Sequence, residues 1–391
     1  MKKTQKPTNR PEQAVQPDRL RTAQVNRVNA GKSYHSVGTR RKPGLWIALI
    51  LLLIVIFLLL RPLLSGKPSG TVTPSTDSTT TQTTQQSPGT SDTTTKPTTV
   101  TTATPEPTRA LLSAAQRAQS LEAAASEVSS LLAEYNSGRF AVYYQNLIGG
   151  ETWRYHDTDP FVAASSIKLG INTRLYTFVE EGEISLDEML AYDSRPYPEG
   201  DYESGTGNIQ SLPNGSQLTV RETSRRSIRI SDNCGTNMII RRLGGIDAIN
   251  PWLSEISGAV NYRQSVSYTD YTGQTKNGRH RTCALDLALH AVELYHRWTQ
   301  NPQIYQPLID DLCQTTFDFG LDKGIPEEIA VAHKIGTNGI YATENDVGIV
   351  FCEEPFVLCV MTEMASAQEA RKIQADIAAI FYRHSGNWPW A

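Results

Sequence analysis

Ser165-Ser166-Ile167-Lys168 opens a stretch of helical character that runs to Glu181 and is closed by Gly182. A serine and a lysine three residues apart on a helix share a face, so an ammonium can stand beside a hydroxyl. The serine also lies near the positive end of the helix dipole, which favours an alkoxide or a developing oxyanion. Alone the string is weak. A chain of 391 residues holds about one or two S-x-x-K matches by chance, and a plain helix start with Ser165 as its cap accounts for it as well.

Two further strings change that. Ser231-Asp232-Asn233 follows Arg225–Ile230 and precedes an apolar helical run through Leu243. Read blandly, it is a polar turn capping that helix. Lys334-Ile335-Gly336-Thr337 follows the strand-like Ile329–His333. Taken together the three supply two hydroxyls, two amines and an amide, a proton-handling set that a serine acyl-transfer site needs when it has no histidine. A lysine becomes a base only when its pKa falls; desolvation and a second cation both push it down, and Lys334 supplies the second effect for Lys168.

On these strings the chain resembles the class A β-lactamases and penicillin-binding proteins, serine hydrolases that carry the same combination. The text around them is similar too: Gly182–Glu188, Leu218–Glu222 and Ala332-His333-Lys334. The resemblance implies roles residue by residue. Ser165 is the nucleophile and Lys168 its base. Ser231 relays a proton to the leaving nitrogen with Lys334. Asn233 holds the substrate amide and the lysine, while Asp232 is structural. Gly336 lets a substrate lie close against the backbone, and the N–H of Thr337 completes an oxyanion hole with that of Ser165. Lys334 adds positive charge for a substrate carboxylate.

The chain departs from the family's pattern twice. Ile335 stands where a Thr or Ser is usual and offers no hydroxyl. The loop expected to carry a deacylating glutamate falls near Tyr262–Asp270, and no glutamate occurs there; Asp270 is the nearest carboxylate. The sequence therefore supports forming an acyl-enzyme better than breaking it.

The rest of the chain divides by composition. Residues 1–43 hold eleven Lys and Arg against Glu12 and Asp18, a net of +9; Arg61 adds one, and with a total of −3 the remainder after residue 64 carries −13. A nucleic-acid role for the basic tail is the weaker reading, because it lacks an apolar face and precedes Gly44–Leu60, which is uncharged on every side. With Arg61 snorkelling, residues 44–64 reach about bilayer thickness. The expectation is a single signal-anchor helix with the tail cytoplasmic and the rest outside; a cleaved signal peptide is the rival. Residues 65–107, dominated by Thr with Ser, Pro and Gln, read as a disordered stalk.

Residues 108–391 then form one catalytic domain. Helical periodicity over 111–135, strands over 139–147 and 151–155, three strands over 329–335, 345–352 and 356–362, and a helix over 366–384 imply an α+β sandwich. An antiparallel sheet built from both termini is flanked by helices, with a helical subdomain between. The five cysteines show no framework, and Cys352 and Cys359 read as small apolar residues on neighbouring strands. His290 and His296 share no helix face, so neither a metal nor a cofactor is expected. Tyr197 and Tyr202 are candidates for the cleft wall. The expected protein is a monomer acting on a β-lactam or a peptidoglycan stem peptide. Three functions follow: a β-lactam hydrolase, a D-Ala-D-Ala carboxypeptidase or transpeptidase, and a non-catalytic wall-binding or sensor module.

Overall fold

The computed structural model describes residues 111–257, 266–278 and 281–387. The tail, the apolar run at 44–64 and the stalk lie outside the described residues; among those described, no helix is long and apolar enough to cross a membrane.

Helix α1 (Ala114–Ala133) starts at a capping box, where Ser113 accepts from the Gln116 N–H and the Gln116 side chain accepts from the Ser113 N–H. Strands β1 (Arg139–Asn146) and β2 (Thr152–Tyr155) follow. The chain then leaves the sheet through helices α2 (Lys168–Glu180), α3 (Val220–Arg229), α4 (Asn233–Arg242), α5 (Ile246–Ser257), α6 (Ala284–Gln300) and α7 (Pro302–Cys313). It returns as β3 (Ala330–Asn338), β4 (Thr343–Phe351) and β5 (Phe356–Glu363), and ends with helix α8 (Ala367–Tyr382), capped by Ser366.

The five strands pair in the order β2-β1-β5-β4-β3, every pair antiparallel. All eight residues of β5 are buried, because helices cover both faces of the sheet there. Alternation sorts the strands: Val142, Tyr144, Leu358 and Val360 face a core with Val128, Ile373 and Phe381 from α1 and α8. Tyr144 stacks on Phe381 with centroids 4.4 Å apart. The intervening residues Ala141, Tyr143, Val357, Cys359 and Met361 face the second core with Leu175, Leu287 and Ala291. The antiparallel sheet drawn from both ends of the domain is thus as read from the sequence.

Two details differ. Lys334–Thr337 lies inside β3 rather than at its margin, because ladder pairing to β4 continues through Asn338↔Thr343. Cys352 sits in the turn beyond β4 while Cys359 is within β5, so they are not on neighbouring strands; none of the five cysteines is bridged.

Candidate active site

The outermost strand β3 faces the turn that carries Ser165. That turn begins at the short strand Phe161–Val162, paired with Arg281–Thr282, and enters α2 through a 3₁₀ turn over Ala164–Ile167. The expected helix start is therefore tighter than α-helical. Its geometry is forced from several sides. Ala164 holds φ at +47°, a conformation costing roughly 1–3 kcal/mol for a residue with a Cβ. The Asn345 amide of β4 donates to the carbonyls of Val162 (2.8 Å) and Ala163 (3.2 Å). Gly336 packs so closely that a Cβ there would fall 2.5 Å from the Ser166 nitrogen and 2.7 Å from the Ala163 oxygen. This glycine accommodates the turn that carries Ser165.

Ser231 has φ of +54° and is buried between α3 and α4. Asp232 fixes it there: one carboxylate oxygen caps α4 at the Gly235 N–H (2.9 Å) and the other accepts from Asn208 (2.7 Å) and Ile209 (2.8 Å). Asp232 is structural, as anticipated. Around it the loop 203–209 wraps the motif, with the Thr206 hydroxyl donating to the Ser231 carbonyl at 2.6 Å.

The two lysines meet at Ser231. Lys168, only 3% exposed, donates to the Ser231 carbonyl and the Asn233 Oδ1, both at 2.7 Å, and to the Ser231 Oγ at 3.3 Å. Lys334, fully buried on β3, donates to the same Oγ at 3.1 Å and to the Ile335 carbonyl at 3.0 Å. A hydroxyl accepts two hydrogen bonds and donates one. With both lone pairs taken by amines, the Ser231 proton is left to point elsewhere. Burial pulls the Lys334 pKa down to about 7, against a partial opposing pull from Asp346. The folded amine thus changes charge near neutrality.

A consequence for stability has a definite sign. Unfolded, this lysine keeps its proton to about pH 10.5. Between pH 7 and 10.5 the unfolded state binds the extra proton, so Lys334 costs folding most near neutrality and less as pH rises. Denaturant unfolding should find Lys334→Met more stable relative to wild type at pH 7 than at pH 10, the gap narrowing by roughly 3 kcal/mol. A gap independent of pH would show an ordinary lysine.

A cleft of about 270 Å³ opens over this cluster, lined by Ser165, Lys168, Ser231, Asn233, Ile335 and Thr337. The Ile335 carbonyl meets Lys334 on the unpaired side of β3, and alternate residues of a strand share a side. That puts the Thr337 N–H on the same side. Sequence reasoning missed Phe317, Glu203 and Thr206, which also line the cleft. Phe317 lies with its ring centroid 5.7 Å from the Lys334 Nζ. The Gly- and Ser-rich run Glu203–Gly207 was the available signal for a loop at the site. Tyr197 and Tyr202 are not among the lining residues.

Asp270 is removed as an alternative base. Its Oδ1 accepts from the Thr272 N–H, the Thr272 hydroxyl and the Gln274 N–H in the turn of the hairpin 266–278. Its Oδ2 pairs with Lys276 at 2.6 Å, and this partner foremost holds the carboxyl far below its usual range. His333 is a buried strand residue bound to Asp346 at 2.9 Å. His290 is enclosed beside Trp252 and Gly170, and burial pushes its pKa down to about 4. Among the described residues no cluster of His, Cys, Asp and Glu is placed to hold a metal.

A sequence description of the "Beta-lactamase enzyme family" matches residues 123–385, and the chain belongs to that family. Beta-lactamase VEB-1 of Pseudomonas aeruginosa is 24% identical over 267 residues, covering 63% of this chain and 86% of the relative. A beta-lactamase of Streptomyces albus G is 27% identical over 255 residues, covering 63% and 79%. The solved structure of PBP-A is 25% identical with a TM-score of 0.57, covering 67% of this chain and 96% of that one. An ancestral class A beta-lactamase shares the fold, with a TM-score of 0.57 at 22% identity and coverage of 66% and 99%.

Proposed function

We propose that the protein is a serine acyl-transfer enzyme that opens β-lactams, held at the outer face of a cell membrane by residues 44–64 with residues 1–43 cytoplasmic and 65–107 as a stalk. One observation carries the catalytic reading: both amines converge on the Ser231 hydroxyl in the cleft that Ser165 also lines. The basic flank and uncharged run carry the topological one.

In the proposed reaction Ser165 Oγ attacks the lactam carbonyl while Lys168 takes its proton. The oxyanion is met by the N–H groups of Ser165 and Thr337. The C–N bond then breaks as Ser231 passes its proton to the leaving nitrogen, and the amines resupply Ser231. Asn233 orients the substrate amide and Lys168. A Lys334 amine that titrates near pH 7 is suited to proton exchange at neutral pH. The product is a serine ester with the ring opened, and water releases it.

A second reading, a D-Ala-D-Ala carboxypeptidase or transpeptidase of peptidoglycan, is favoured by Asp270. That carboxylate is committed to its turn and Lys276, and no glutamate lies in residues 261–270. A PBP-A mutant that shares this fold has been solved as an acyl-enzyme complex with penicillin G. The full chain, recovered with membranes, is expected to give a burst of chromogenic cephalosporin opening stoichiometric with protein. Sustained turnover after the burst supports the hydrolase, and a stable adduct without turnover supports the wall enzyme. No burst and no adduct in a folded protein would leave only a non-catalytic module.

A further inference from the structure

His333 and Lys334 are consecutive on β3, so their side chains leave the sheet on opposite faces. Lys334 reaches Ser231 in the cleft; His333 is buried on the other side, outside the proposed reaction. That far face is built around an ion pair. Ladder register sets His333 opposite Gly348 and Ile335 opposite Asp346, so imidazole and carboxylate are diagonal neighbours on one face. The Nδ1 of His333 lies 3.0 and 2.9 Å from the two Asp346 oxygens, and the Leu321 N–H donates to Asp346 Oδ2 at 2.8 Å. Two glycines make the room. A Cβ on Gly348 would lie 2.7 Å from the His333 Cβ, and one on Gly320 would overlap Asp346 Oδ2.

Asp346 thus acts on two cationic groups through one strand. Burial alone would strip His333 of its proton; the Asp346 carboxylate outweighs that and holds the imidazole pKa above its usual value. The same carboxylate pulls Lys334 toward its charged form, against the burial that lowers it. The Lys334 charge in turn opposes the His333 proton, an effect that is mutual. Asp322, in the turn 321–324, also faces the imidazole; burial raises its pKa, and its Oδ1 has no hydrogen-bond partner among the described residues. Cys359 on β5 is kept neutral by burial. Arg371 of α8 is paired with Glu344, Asp311 of α7 with Arg221, and Lys323 with Asp318. On the cleft side Lys334 meets Lys168 across Ser231, with Glu203 on the wall.

We infer that His333 and Asp346 are positioning residues for acylation: the imidazole shields the Lys334 amine from the Asp346 carboxylate, and the pair thereby decides whether Lys334 holds a proton. The inference rests on the acylation reading above and adds a control on its relay. Asp346 stands across the ladder from Ile335, whose carbonyl accepts from Lys334 at 3.0 Å. With His333 protonated the pair is neutral, and the amine is free to lose its proton. With His333 neutral the uncovered carboxylate keeps the amine charged. Proton loss from the imidazole therefore delays proton loss from the amine, and the two titrate as one coupled unit.

The full chain in detergent micelles, with its lysines carrying carbon-13 at Cε, reports the Lys334 proton directly by NMR. The Lys334 resonance is the one missing in Lys334→Met. His333→Gln should raise the amine's midpoint by about one pH unit, because it leaves the carboxylate permanently uncovered. Asp346→Asn should lower it by a similar amount. The double variant should coincide with Asp346→Asn, since without the carboxylate the buried imidazole is neutral. Opposite displacements separate charge from packing, which has no reason to move the two variants in opposite directions. A midpoint unchanged or lowered in His333→Gln overturns the inference, as does a double variant that matches His333→Gln. Thermal melts establish folding, and where Asp346→Asn does not fold, His333→Gln decides alone. Acylation by benzylpenicillin, followed against pH, should carry its limb along with the amine in each variant. A limb that stays in place while the amine midpoint moves also overturns the inference. No labelling of Ser165 in wild type, with the amine midpoints displaced as stated, would instead fail the acylation reading and uphold the charge coupling.

Discussion

Ser165→Ala is expected to abolish covalent labelling by penicillin entirely and to lower any measured turnover by about 10⁴-fold or more. The melting temperature should move by no more than a few degrees, because the change deletes one partly exposed oxygen and leaves the turn's supports in place. Intact-protein mass spectrometry reads the adduct directly. The neighbouring hydroxyl supplies the control. Ser166 is fully buried and donates to the Ala163 carbonyl at 2.5 Å, so it is sterically and chemically occupied. Ser166→Ala should keep the label. An adduct that survives in Ser165→Ala would mean another nucleophile and end the mechanism.

The second large effect is expected at Ser231. Both amines donate to its Oγ, at 3.3 Å from Lys168 and 3.1 Å from Lys334. Ser231→Ala removes the proton donor for the leaving nitrogen and the shared acceptor at once. Acylation should slow by about 10²–10⁴-fold, the usual worth of a positioned acid or base. The variant also has a signature that a simple packing defect lacks. Without the hydroxyl, the Lys334 ammonium loses a partner that favours its charged form, so its pKa falls below the wild-type value of about 7. The midpoint of the pH–rate profile should move to lower pH by the same displacement. An unchanged midpoint with full acylation would remove Ser231 from the relay.

The parts of this site that were legible in the sequence are those written in short range. Ser165 with Lys168, Ser231 with Asn233, and Lys334 with Thr337 are each fixed by helix or strand geometry over a few residues. The sheet was legible for the same reason: β-branched and aromatic runs at both ends of the domain, with the two faces of β5 sorted by alternation. What was not legible depended on contacts between distant segments. Gly336 lies against the Ser166 nitrogen, 170 positions earlier, a contact between distant segments that no local pattern announces. Phe317 and Glu203 enter the cleft from loops whose composition names no partner. Asp270 looked available as a base until the hairpin showed its oxygens engaged by Thr272, Gln274 and Lys276. A carboxylate's availability is a property of its neighbours, and the hairpin 266–278 supplies them.

The backbone at Ala164 and Ser231 sets reactivity against endurance. Each holds a left-handed φ, +47° and +54°, one immediately before the nucleophile and one at the hydroxyl shared by the amines. Conformations of this kind cost roughly 1–3 kcal/mol apiece, a sizeable share of the net stability of an ordinary domain. Changes that relax either residue would make the fold hardier while letting the reacting groups drift apart. Selection for heat tolerance and selection for catalysis would therefore pull these two positions in opposite directions.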